Sequence, residues 1–199
     1  YLSDGDNFIQ KTMLYLEKIL FSKMDKNVNT VITNNVFEPF STENNFIFFN
    51  NPYSIIVDRD PRDIFASVSL YENAFIPEFE FETYKNNKKH IRKHLEDFLG
   101  LSNINTFIIR QSLYRKKINF DKEKKNIIYI HYEDLVLDYD NTVQLIFDAV
   151  GIDSSRHIKK KQHFDLEKSS KNVGIWKRME DNEDIKLIEK ELKDYLYTS

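Results

Sequence analysis

The stretch Tyr53–Tyr71, YSIIVDRDPRDIFASVSLY, decides the fold. Ser54-Ile55-Ile56-Val57 is a short β-branched run of the kind found in a parallel sheet covered on both faces, and helical period begins directly after it. Asp60 stands where an N-cap belongs and Pro61 where a first helical residue belongs, while Ile64, Phe65 and Val68 supply an apolar stripe. A strand that feeds a helix N-terminus presents free backbone N–H groups, which favour an anion. Arg59 adds a planar fork of donors suited to phosphate, and Ser67 adds a hydroxyl further along the helix. The same letters also fit a surface ion pair between Arg59 and Asp63, four apart, with Ser67 solvated.

Outward from that centre, the pattern of strand, polar corner and helix repeats. Asp6–Ser22 reads as an amphipathic helix with Ile9, Met13, Leu16 and Leu20 on one face. Asn29–Thr33 reads as a strand, followed by a loop through Glu38 and Pro39 at the end where open α/β sheets bind ligands. Beyond the aromatic and acidic connection Ala74–Phe81, a helix over Thr83–Leu99 carries Ile91, Leu95 and Phe98 on its buried face. Its wet face is basic, from Lys85 to Lys93. His90 and His94 share a metal-compatible spacing but lack a third ligand in a recognisable motif, so no metal is expected. A further helix, Asn103–Lys117, ends in Arg115-Lys116-Lys117, where positive charge suits a helix C-terminus. Asn126–His131 is the third strand and runs into Tyr132-Glu133-Asp134-Leu135. Asp140 or Asn141 caps the next helix, with Val143, Ile146, Phe147 and Val150 on one face and Gly151 at its end. Lys168–Lys177 reads as a loop able to fold over an anion, or as a linker before the terminal helix Glu183–Leu196. The expectation is one α/β domain over 1–199, with a doubly wound parallel sheet.

Composition narrows the function. The 199 residues carry a net charge of −3, which argues against nucleic acid as the main partner. Cysteine is absent from the sequence, so disulfides, thiolate metal clusters and a cysteine nucleophile are excluded. No apolar run has the length of a membrane span and no signal pattern opens the chain, so the expectation is a cytoplasmic protein. The four glycines, Gly5, Gly100, Gly151 and Gly174, are too far apart to write a G-x-x-x-x-G-K-[ST] loop.

Three blocks, in this order, resemble the sulfotransferase family that uses 3′-phosphoadenosine 5′-phosphosulfate (PAPS) and releases adenosine 3′,5′-bisphosphate (PAP). Val57–Ser67 resembles the family's 3′-phosphate motif, whose Arg and Ser fall on Arg59 and Ser67. Tyr132-Glu133-Asp134-Leu135, with the helix ending in Val150-Gly151-Ile152, resembles the corner whose Tyr lies near adenine. Lys168–Trp176 resembles the late glycine and tryptophan motif that closes over the same phosphate. The resemblance implies a P-loop NTPase-like parallel sheet flanked by helices, with Arg59, Ser67, Tyr132, Phe164, Ser170, Lys171 and Gly174 binding the donor. It also implies a 5′-phosphosulfate loop with its Lys before the first helix, and the expectation is that the sequence, opening at Tyr1, begins after that point. Many relatives have a catalytic His where this chain has Thr33-Asn34-Asn35, which leaves Glu38 as the local candidate for a catalytic base. The reaction implied is sulfuryl transfer to a hydroxyl or amine of an acceptor, a carbohydrate or small molecule. Phe75, Phe79 and Phe81 and the basic helix around Lys88–Lys93 are candidates to face that acceptor. The alternatives are a nucleotide or nucleoside kinase on a similar sheet and a non-catalytic nucleotide-binding module.

Overall fold

The structure is a computed structural model that describes residues 5–22, 30, 32, 46, 49–70, 103–121, 124–158, 161–162 and 164–198. It divides into two units, Tyr1–Ser54 with Lys125–Ile127, and Ile55–Lys124 with Ile128–Ser199. The first contains α1 (Gly5–Phe21), the amphipathic helix expected there, with Ile9, Met13 and Leu16 half-buried along one stripe. Asn50 donates to Glu17 on that helix at 2.6 Å. The strand expected over Asn29–Thr33 is not found at its described positions, since Thr30 and Ile32 have irregular backbone and Ile32 is 83 % exposed. A β-branched run becomes a strand only where a sheet neighbour and a buried face reward it.

The second unit is built on β1 (Ser54–Asp58) and β2 (Ile127–His131), paired in a small parallel sheet whose first residues, Ser54 and Ile127, are counted with the first unit. Ile56 and Asp58 of β1 point inward, whereas Ile55 and Val57 stay exposed. The strand therefore alternates as a half-buried strand does and is not covered on both faces. α2 (Pro61–Leu70) begins as its sequence demands: the Asp60 carboxylate accepts the Arg62 N–H at 2.8 Å and the Asp60 carbonyl accepts the Ile64 N–H at 3.0 Å.

α3 (Ile104–Asp121) is capped by the Asn103 side chain, which accepts from the N–H groups of Asn105 and Thr106. It runs a turn past the Arg115-Lys116-Lys117 cluster, so those cations are not its terminal charges. Arg115 turns inward, on a stripe with Phe107, Gln111 and Ile118 that mixes polar with apolar groups. Phe65 and Phe107 meet edge to face at 5.7 Å, in a core completed by Ala66, Ile175, Ile185, Ile188 and Leu192.

After β2 the expected polar corner is a short helix, α4 (Tyr132–Leu137), followed by α5 (Tyr139–Val150). Asp138, not Asp140 or Asn141, holds the N-cap position of α5, and its carboxylate accepts the Asn141 side-chain amide instead of a backbone N–H. Gly151 closes α5 at φ 70°, the left-handed conformation that glycine takes without penalty. α6 (Leu166–Ser170) is capped by Asp165, and α7 (Glu183–Glu191) by Asn182, which accepts from Asp184 and Ile185. The terminal helix expected to reach Leu196 stops at Glu191, and a separate 3-10 turn covers Lys193–Tyr195. That break lets Tyr197 turn back, its N–H to Asp60 at 3.2 Å and its hydroxyl to Asp134 at 2.7 Å.

Candidate functional site

The chain between β1 and α2 is held from below by buried charge. Asp58, 4 % exposed, accepts from Arg115 Nη2 at 2.9 Å, from its neighbour's N–H on Arg59 at 2.9 Å, and from the Tyr129 hydroxyl at 2.7 Å. Arg115, 2 % exposed, also donates to the Arg59 carbonyl and to Gln111. Burial, reinforced by the Asp58 charge, pushes the Tyr114 phenol up to about 12 and the Tyr129 phenol higher still. One residue on, the Asp60 N–H donates to Glu133 Oε1 at 2.9 Å, and the Asp60 carboxylate binds the Arg62 guanidinium at 2.7 Å. Arg62 continues to Glu189 at 2.7 Å and lies 4.0 Å from the Trp176 ring centre.

Arg59, fixed at both its N–H and its carbonyl, sends its side chain the other way. Its Nη2 donates to the Asn172 carbonyl at 2.6 Å, and its guanidinium lies 4.9 Å from the centre of the Tyr132 ring. The Tyr132 hydroxyl donates to the Ser169 carbonyl at 3.3 Å. Asp63, one turn into α2, accepts the Gly174 N–H at 2.8 Å and the Trp176 N–H at 3.1 Å. Burial holds its carboxyl above the usual range although both amides and Arg59 favour the charged form. Ser67 follows Asp63 by four residues and so lies on the same side of the helix. It is 5 % exposed, and its hydroxyl has no hydrogen-bond partner among the described residues; the same holds for the buried Nε of Arg59. Tyr132 and the Ser169–Asn172 stretch therefore meet around the Arg59 guanidinium, and Asp63 fastens the residues that follow to α2.

A model of the sulfotransferase domain family matches residues 7–193. The chain belongs to the sulfotransferase family. No curated protein and no solved structure matches it. The family carries sulfuryl transfer to an acceptor substrate, and among the described residues no helix is long and apolar enough to cross a membrane.

Within this sulfotransferase the residues named from sequence are not all brought together. Arg59, Tyr132 and the segment ending at Gly174 converge, and Gly174 takes φ 72° as a tight turn requires. The loop expected over Lys168–Lys177 is instead the end of α6, a turn and a 3-10 segment, Ile175–Met179. Ser170 and Lys171 are exposed and satisfied within α6: the Ser170 hydroxyl donates to the Glu167 carbonyl at 2.9 Å, and Lys171 pairs with the Glu167 carboxylate at 3.2 Å. Phe164 stacks on Tyr139, ring centres 6.0 Å apart. Glu38, His90, His94 and the aromatic segment Phe75, Phe79 and Phe81 lie outside the described residues. The surface ion pair imagined between Arg59 and Asp63 is not present, because Asp63 is 1 % exposed and spends both oxygens on backbone N–H groups. Sequence reasoning missed that role. The available signal was spacing, since Asp63 stands four residues before Ser67 and so on its face of the helix.

Proposed function

We propose that this sulfotransferase takes its sulfuryl group from PAPS and passes it to a hydroxyl or amine of a carbohydrate or small-molecule acceptor. On this reading 1–199 forms a single domain with a P-loop-like parallel core, Arg59 and Ser67 hold the 3′-phosphate, and Tyr132 lies near the adenine. Gly174 gives the covering segment its turn, Ser170, Lys171 and Phe164 are further donor contacts, and Glu38 is the candidate base. Ser170, Lys171 and Phe164 would have to leave their present partners to serve, which makes Arg59 and Ser67 the firmer pair. The donor supplies an activated sulfuryl group; the residues of this site hold its far end, so their contribution is to position it in line with the acceptor.

One observation carries the reading: the Ser67 hydroxyl is buried and unpartnered on α2, the helix that begins two residues after Arg59. A buried hydroxyl without a partner costs about 1–3 kcal/mol, and a ligand oxygen would recover that cost. The test is a calorimetric titration with PAP. Charge-assisted hydrogen bonds are worth about 1.5–3 kcal/mol each, so Arg59→Ala should weaken binding roughly tenfold to a hundredfold. Ser67→Ala should also weaken it while leaving thermal stability undiminished or raised, because the free protein loses no hydrogen bond and sheds a buried unpartnered hydroxyl. Unchanged affinity in both variants refutes the assignment. ADP titrated in EDTA separates the kinase alternative, which needs a divalent cation and ignores a 3′-phosphate, and sulfated acceptor separates an enzyme from a binding module.

A further inference from the structure

We infer that Asp63 is a positioning residue that sets selectivity for the 3′-phosphate by holding the Gly174–Trp176 backbone on α2, and with it the Asn172 segment beside Arg59. The inference rests on the donor reading above and extends it to a residue that does not touch the donor. A carboxylate between Arg59 and Ser67 is at first sight the wrong group for a phosphate site, since like charges repel. The geometry resolves this. Each Asp63 oxygen accepts a different backbone N–H, from Gly174 at 2.8 Å and from Trp176 at 3.1 Å, so its charge is turned onto the late segment and screened by two donors. The left-handed Gly174, φ 72°, allows the N–H groups of 174 and 176 to converge on one side chain. The same segment supplies the Asn172 carbonyl that fixes Arg59 Nη2 and the Ser169 carbonyl that fixes the Tyr132 hydroxyl. The first half of α2 and the late turn thus share one fastening, buried at 1 % exposure, and what loosens it loosens the surroundings of Arg59.

The test uses Asp63→Asn, which preserves shape but offers one acceptor where two N–H groups need one each. Affinities for PAP and for adenosine 5′-monophosphate, which lacks the 3′-phosphate, are measured by titration on the whole chain. Leu192→Ala, a core variant outside the site, controls for general destabilisation. The unaltered protein should prefer PAP, and Asp63→Asn should cut that preference by about tenfold, the worth of roughly one charge-assisted hydrogen bond. Affinity for the monophosphate should stay nearly unchanged. Leu192→Ala should lose stability and keep the preference. A retained preference in Asp63→Asn overturns the inference, and so does an equal fall for both nucleotides, which marks a merely structural residue. A wild-type protein without preference overturns the donor reading itself, a failure seen before any substitution is made. Should Asp63→Asn not fold, amide exchange in the wild-type protein decides: the Gly174 and Trp176 N–H groups should exchange slowly and slow further with PAP, and rapid exchange of both in the free protein overturns the inference.

Discussion

Replacing Arg115 by Met should be among the most damaging single changes in this protein, although Arg115 lies in a run that reads as a basic helix end. The guanidinium is 2 % exposed and pairs at 2.9 Å with an Asp58 that is 4 % exposed. Removing one partner of a buried pair costs about 3–5 kcal/mol, because the charge left behind is neither solvated nor compensated. Asp58 would keep the Tyr129 hydroxyl and the Arg59 N–H, which places the expectation near the lower end, about 3 kcal/mol. That is a large part of the roughly 5–15 kcal/mol that holds a typical domain together. At about 2–4 °C per kcal/mol for a chain of this length, Tm should fall by about 6–12 °C. Urea unfolding followed by circular dichroism measures the loss directly, provided the slope m is unchanged. The pair Asp58→Asn and Arg115→Met should be less damaging together than the sum of the two alone, by at least about 1 kcal/mol, since each removes the reason the other is costly. A loss under about 1 kcal/mol for Arg115→Met, or strict additivity, refutes the view that this ion pair anchors the β1–α2 junction.

Two further changes probe the same framework. Glu133 is buried, its Oε2 has no partner among the described residues, and burial holds its carboxyl above the usual range. An acid raised in this way lends stability that is complete below its ordinary pKa, about 4.3, and is lost as pH climbs through the folded-state value. Glu133→Gln, which keeps an acceptor for the Asp60 N–H, should therefore gain on the wild type in Tm as pH rises from 4 to neutrality; a difference independent of pH contradicts this. Gly151, at φ 70°, has no atom within 4 Å of where a Cβ would stand. Gly151→Ala should then cost only the left-handed strain, about 1–2 kcal/mol, in urea unfolding. A loss well above that would reveal a steric contact the geometry does not contain.

Much of the local structure was legible because its causes lie within a few residues of their effects. The Asp60–Pro61 start of α2, the half-buried stripe of α1, the face of α5 and its end at Gly151 all follow from capping, period and backbone preference. The order of the three blocks was enough to reach the family, which the domain match over residues 7–193 bears out. Where the reading stopped, the deciding partner was far away in the chain. Arg115 reads as a terminal helix cation until Asp58 is placed beside it, and Asp63 as half of a surface ion pair with Arg59 until Gly174 and Trp176 arrive with two N–H groups. Ser170 and Lys171 read as anion ligands, and the structure adds what the loop reading did not anticipate, that Glu167 of α6 partners both. The sequence by itself determined the start of α2, the half-buried stripe of α1 and the end of α5 at Gly151, since those choices are made by neighbouring residues. Only the tertiary structure decided which charges are buried and what each faces, because desolvation depends on every segment that packs against a group.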